Sequence, residues 1–129
     1  MDGNGRWAQR RRRPRIFGHI RGAQVARDII SECTRLGIQY LTLYAFSTEN
    51  WKRPESEVVF LMALLERHLK RERKKLVDQN IRFGVLGDIS KLPSSVREEL
   101  KKTLKATQDN TGMNLVFALN YGGRTEIVE

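Results

Sequence analysis

The chain has 129 residues, 40% of them apolar, which suits one domain with one modest core and excludes a disordered tract. Its 24 lysines and arginines outnumber 15 aspartates and glutamates, and the net charge of +9 calls for an anionic partner: a phosphate ester, a nucleic acid or an acidic membrane surface. A single cysteine, Cys33, rules out an internal disulfide, the longest apolar run (residues 58–65) is far short of the roughly 20 residues of a spanning helix, and no signal peptide is legible, so a soluble cytoplasmic protein is expected.

The opening "MDGNGRWAQRRRR" reads as a glycine turn followed by the arginine run Arg10–Arg13, which is expected on a solvated surface. "RGAQVARDIISECTRLG" places Ala26, Ile29, Ile30 and Cys33 at helical spacing, with Gly37 to close the helix. "IQYLTLYAF" is a nearly continuous apolar and aromatic run, which predicts a strand buried on both faces. Pro54 opens a long helix with Val58, Leu61, Met62, Leu65 and Leu69 along one stripe, ending at Asn80. "IRFGVLG" predicts a second strand. Ser95 and Glu98, three apart, form a capping box for a helix that runs to about Asn110. "NLVFAL" predicts a third strand, "NYGG" a turn and "RTEIVE" the start of another helix. Strands alternating with helices indicate an α/β fold with a parallel sheet and flanking helices, forming a single domain over residues 1–129.

In such sheets ligands sit beyond the carboxyl ends of the strands. Three segments belong at that edge: Asp2–Trp7, Ser47–Arg53 and Asn120–Arg124, which mix asparagine, arginine and small residues. Glycine lets backbone N–H groups approach an oxyanion, and arginine offers a planar fork of donors to phosphate oxygens. Asp2, an anion, favours a phosphate only through a bridging cation, and one carboxylate plus substrate oxygens is a usual shell for Mg²⁺. The chemistry points to a Mg²⁺-dependent diphosphate site. Each element also has a plainer reading. "DGNG" is most often only a turn, Arg67–Lys75 is the wet face of a helix, His19 suits a loop, and Trp7 and Trp51 suit a core.

"MDGNGRWA" followed by "RIFGH", then "LTLYAFSTENWKRP", then "GD" and "NYGGR", resembles the cis-prenyltransferase (undecaprenyl diphosphate synthase) family over nearly the whole length. The resemblance implies a Mg²⁺-dependent enzyme that condenses isopentenyl diphosphate with an allylic prenyl diphosphate to make Z-polyprenyl diphosphate, a carrier lipid. Carried over by position, Asp2 is the aspartate that handles Mg²⁺ and the allylic diphosphate. Gly3, Asn4, Gly5 and Arg6 match the diphosphate loop, and Trp7, Arg15 and His19 match further substrate contacts. Ser47, Thr48 and Glu49 match the segment over the substrate, and Trp51 and Arg53 match binding positions. Asn50 matches a position assigned as proton acceptor. A carboxamide is a very poor base, so its own chemistry is to orient a diphosphate oxygen or water that takes the proton.

The apolar stripe Val58–Leu69 is a candidate lining for the growing chain. The resemblance also implies a homodimer and peripheral membrane contact through the lipid product, with no nucleic-acid partner. Family members have a strand before the aspartate and a C-terminal segment with isopentenyl-diphosphate arginines and a metal-binding glutamate. The chain is therefore expected to be an internal fragment, inactive by itself. The alternatives are a non-catalytic subunit of a heteromeric prenyltransferase, which would tend to lose the aspartate motif kept here, and a basic nucleic-acid-binding domain, whose aromatics would line a basic strand face.

Overall fold

Three helices of this chain start behind a proline, and two of those end in a left-handed residue. In the computed structural model, which describes residues 3–122, Pro14, Pro54 and Pro93 immediately precede α2 (Arg15–Arg35), α3 (Glu55–Asp78) and α4 (Ser94–Thr107). Proline fixes φ and lacks the N–H that a first turn leaves unpaired. At the other end, α2 closes with Gly37 at φ 75° and α3 with Asn80 at φ 58°. Both close with the paired hydrogen bonds of a Schellman end: Ile38 N–H to Cys33 and Gly37 N–H to Thr34, then Ile81 N–H to Leu76 and Asn80 N–H to Val77.

Several expectations need correction. "DGNG" does not remain a turn: α1 spans Asn4–Arg10, and Gly5 is buried. The helix foreseen from residue 21 begins at Arg15, directly behind Pro14. Ser95 and Glu98 do not form a capping box, since α4 starts at Ser94 behind Pro93 without a side-chain cap. A capping box stands elsewhere, between Ser47 and Asn50. The helix expected over 124–129 lies outside the described residues, as does Asp2.

The chain divides into two compact units, residues up to Ile38 and residues from Gln39 on. In the first, α1 and α2 pack on each other through close backbone approaches. A Cβ on Gly18 would stand 1.8 Å from the Asn4 carbonyl oxygen, and one on Gly22 would stand 2.3 Å from the Asn4 side-chain amide. Only hydrogen fits at Gly18, against backbone, while a Cβ at Gly22 would displace the Asn4 amide. Trp7 and Phe17 stack at 5.8 Å, with the Arg11 and Arg13 guanidiniums over the two rings at 4.2 and 5.3 Å. The arginine run is exposed, as expected, yet two of its members are placed by aromatic faces.

The second unit is built on a parallel sheet of order β1–β3–β2, with β1 at Tyr40–Ser47, β2 at Arg82–Leu86 and β3 at Asn114–Tyr121. The register places Leu43 beside Phe117, and Phe83 beside Leu115, on one face. There Leu43, Phe83 and Leu115 are buried, and Phe83 meets Phe117 edge-on. Tyr40, Thr42 and Tyr44 point the other way and are exposed, so β1 is not buried on both faces. Its apolar run reads as two-sided because tyrosine counts as apolar in sequence while tolerating water. α3 and α4 pack on each other and on β2. Thr107 links α4 to β2 by accepting the Phe83 N–H at 3.0 Å. No described helix is long and apolar enough to cross a membrane.

Candidate functional site

The expected site residues fall into both units, and each group has its own geometry. In the first unit, Gly3 caps α1 at φ 84°, a left-handed conformation that suits glycine. Asn4, Gly5, Arg6 and Trp7 form the first turn of α1, while Arg15 and His19 come from the first turns of α2. The structure brings Gly5 and Arg15 together: a Cβ on Gly5 would be 2.3 Å from the guanidinium carbon of Arg15. Gly5 therefore makes room for the arginine fork. Arg15 also donates to Gln9 Oε1 at 3.4 Å. His19 is buried rather than in a loop. Sequence reading missed Gly18 and Gly22, whose four-residue spacing puts two small residues on one helix face against Asn4.

In the second unit, β1 runs into a 3-10 turn at Thr48–Lys52, and this junction orders Ser47, Thr48, Glu49, Asn50, Trp51 and Arg53. Asn50 Oδ1 accepts the Ser47 N–H at 2.8 Å, and the Ser47 side chain accepts the Asn50 backbone N–H. With its carbonyl oxygen engaged, Asn50 offers a ligand amide N–H groups. That is chemistry for orienting an oxygen. Arg53 pairs with Glu57 Oε1 at 3.0 Å, and Glu57 is buried, so one carboxylate aims the guanidinium from behind. Trp51 meets Phe46 edge-on at 4.8 Å and donates its indole N–H to Asn120 at 2.7 Å. Tyr44 donates to the Tyr121 carbonyl. Burial first, then the charges of Glu49 and Tyr121, push the Tyr44 phenol above its ordinary range, so it stays a neutral donor at physiological pH. Beside β2, Asp88 accepts from the Ser90 hydroxyl and backbone, which holds its carboxyl below the usual range. Asn120 belongs to a segment expected at the ligand edge and Asp88 to the quoted "GD", but neither was given a role, and Glu57 was not foreseen. The bonds that join Asn120 to Trp51 and to Asp88 span dozens of residues of sequence, whereas Glu57 lies only four residues from Arg53.

Among the described residues no three histidines, cysteines, aspartates or glutamates gather to hold a metal. A Mg²⁺ held by one carboxylate and substrate oxygens needs no such trio. Asp2, the carboxylate of the opening motif, lies outside the described residues.

Comparison with known proteins bears on this arrangement. The family model described as "Putative undecaprenyl diphosphate synthase" matches residues 1–129. An isoprenyl transferase of Clostridium tetani is 52% identical over 99% of this chain and 50% of its own length. One from Staphylococcus haemolyticus is 48% identical over 100% of this chain and 50% of its own. The crystal structure of lavandulyl diphosphate synthase from Lavandula x intermedia, in complex with dimethylallyl diphosphate, superposes with a TM-score of 0.95 at 38% identity, over 100% of this chain and 56% of that one. A "probable undecaprenyl diphosphate synthase" from Campylobacter jejuni gives 0.75 at 36% identity, over 83% of this chain and 51% of its own. The chain spans about half the length of the curated relatives it matches. With the motif order, the parallel sheet and a family match along its whole length, this chain belongs to the cis-prenyltransferase family.

Proposed function

We propose that the chain carries the allylic-diphosphate side of a prenyltransferase that condenses isopentenyl diphosphate with an allylic prenyl diphosphate to make Z-polyprenyl diphosphate. The observation that carries this reading is the Gly3–Trp7 segment, with the Arg15 guanidinium lying across Gly5. In the solved relative from lavender, dimethylallyl diphosphate is the bound compound. In the reaction the allylic C–O bond breaks, diphosphate leaves, the isopentenyl alkene forms the new C–C bond, and a proton departs to restore a double bond. Charge therefore develops on the leaving diphosphate, where donors placed beforehand stabilise the transition state.

Arg15, and Arg6 beside it in the motif, would bind that diphosphate. His19 and Trp7 would make further contacts with substrate. In the second unit, Arg53, aimed by Glu57, and the turn Ser47, Thr48, Glu49 and Trp51 would also bind substrate, with Asn50 orienting the oxygen or water that takes the proton. Asp2 would hold a Mg²⁺, which when bound would neutralise diphosphate charge. A homodimer, a cytoplasmic location and peripheral membrane contact through the lipid product belong to the same reading, as does the absence of a nucleic-acid partner.

Titration of farnesyl diphosphate into the chain, with and without Mg²⁺, tests the proposal. Weak, Mg²⁺-enhanced binding is expected, and Asp2→Ala should remove the Mg²⁺ enhancement while leaving the fold intact. A chain that binds no allylic diphosphate, or an Asp2→Ala variant with undiminished Mg²⁺ dependence, would contradict it. These 129 residues alone are not expected to elongate the substrate with labelled isopentenyl diphosphate. Elongation by them would show that the machinery is smaller than the family's length implies.

A further inference from the structure

At the carboxyl end of the β1–β3 pair two register shifts offset each other, with Ala45 the extra residue in β1 and Asn120 the extra residue in β3. Phe46 pairs with Leu119 and Ser47 with Tyr121, which leaves Asn120 as a bulge. A bulge re-aims the side chain of the extra residue. Asn120 has φ 49°, in the left-handed region that asparagine tolerates better than most residues. It is buried, and both ends of its amide are used. Oδ1 accepts from Trp51 Nε1 at 2.7 Å, and Nδ2 donates to the Asp88 carbonyl at 2.9 Å. An indole can only donate and a carbonyl only accept, so the amide has one orientation that satisfies both.

Trp51 lies in the turn after β1, Asp88 lies two residues past the β2 end, and Asn120 sits in β3, so one side chain ties together the ends of all three described strands. Gly87, at φ 110°, permits the approach, because a Cβ there would stand 2.0 Å from the Leu119 carbonyl oxygen. Trp51 is held by its N–H and by the Phe46 edge, yet it stays 38% exposed. Part of the indole is thus fixed, and part faces solvent.

We propose that Asn120 is a positioning residue whose amide fixes the Trp51 indole, and with it the Ser47–Arg53 turn, in the orientation that receives an allylic diphosphate. The inference rests on the function proposed above. A substrate then meets a ring and a turn that are already ordered, and little ordering cost is charged to binding. Asparagine supplies a left-handed backbone, an acceptor for the indole and a donor for the Asp88 carbonyl. Aspartate keeps the acceptor and loses the donor. Glycine keeps the backbone alone.

That difference gives the test, made on the isotopically labelled chain by NMR. The Trp51 indole N–H signal is assigned with Trp7→Phe, and its hydrogen exchange is followed beside a titration with dimethylallyl diphosphate. In Asn120→Gly the indole N–H should exchange about tenfold faster and the diphosphate should bind about tenfold more weakly, as for one or two lost hydrogen bonds. The thermal midpoint should not rise, since glycine's fit to the left-handed backbone offsets only part of the two lost amide hydrogen bonds. Asn120→Asp should keep the indole protected and bind between the two. Unchanged indole exchange in Asn120→Gly overturns the proposal, and so does faster exchange with undiminished affinity. Should the parent chain bind no allylic diphosphate, the function reading fails instead, and indole exchange alone decides whether Asn120 holds Trp51.

Discussion

Arg12 stands where glycine belongs. It closes α1 at φ 55°, with its own N–H bonded to the Gln9 carbonyl and the Arg13 N–H bonded to the Ala8 carbonyl. An L residue with a Cβ is strained there, so Arg12→Gly should stabilise the chain by about 1 kcal/mol. The urea midpoint, at unchanged slope, measures it. Asn80 does the same for α3, yet its amide exchanges hydrogen bonds with the Thr111 hydroxyl and backbone, both at 3.0 Å. Asn80→Gly would forfeit both and should not stabilise. Equal gains at the two positions would mean that those amide bonds contribute nothing. At the candidate site, Arg15→Ala and His19→Ala should both weaken the allylic diphosphate before isopentenyl diphosphate, as calorimetric titration of each would show. His19 is buried, so its loss should also cost about 1–2 kcal/mol of stability, whereas half-buried Arg15 should spare the fold. Equal weakening of both diphosphates would mark a general defect instead. These residues were legible because they are contiguous in sequence. The roles of Asn120 and Gly22 were not, because their partners Trp51, Asp88 and Asn4 are brought near only by the fold.

Among the elements, α3 and α4 are joined by a charge as well as by packing. Glu99 is buried and accepts from the Arg73 guanidinium, which also donates to Thr103 Oγ1 at 3.2 Å; Lys102 approaches Glu99 at 3.4 Å. The Arg73 bond first, then Lys102, holds the Glu99 carboxyl below the usual glutamate range, against the opposing pull of burial. A carboxylate with a lowered folded value stabilises the fold above its unfolded value, and that contribution is lost as pH falls through the folded one. Between about pH 5 and 3 the parent chain should lose stability more steeply than Glu99→Gln. Parallel profiles would remove Glu99 from the acid response. Arg73→Met should cost about 1–2 kcal/mol, less than a fully buried pair, because Arg73 reaches solvent and Lys102 remains. Neither partner announces this role: Arg73 sits inside a basic run, and Glu99 is one of two adjacent glutamates. The elements themselves were legible, since prolines, left-handed caps and apolar periodicity are local. The start of α2 and the exposed face of β1 were not, because they depend on which prolines and which faces the tertiary packing selects.

For the whole molecule the distribution of core is uneven. Of the buried apolar residues among those described, Ala8 is the only one up to Ile38; the rest, from Leu43 to Leu119, belong to the second unit. In α2, Phe17, Ile20, Val25 and Ile29 are each at least 40% exposed. Burial of apolar surface supplies most folding free energy, at about 25 cal/mol per Å². The first unit relies instead on glycine contacts, the Trp7–Phe17 stack and backbone hydrogen bonds within α1 and α2. Regions with few buried apolar contacts open by local unfolding well below the global free energy. Amide hydrogen exchange should therefore show α2 at least about tenfold less protected than β3, whose residues Leu115 and Leu119 are almost fully buried on the central strand. The proposed site residues Asn4, Gly5, Arg15 and His19 share that weaker unit, so an allylic diphosphate bound there would order it. Ligand that binds the ordered form selectively stabilises it by mass action. Saturating farnesyl diphosphate with Mg²⁺ should thus slow exchange in α2 much more than in β3. Protection that is equal in the two elements without ligand would refute the uneven core as the source of local stability. A uniform gain on binding would show that the diphosphate does not act through the first unit.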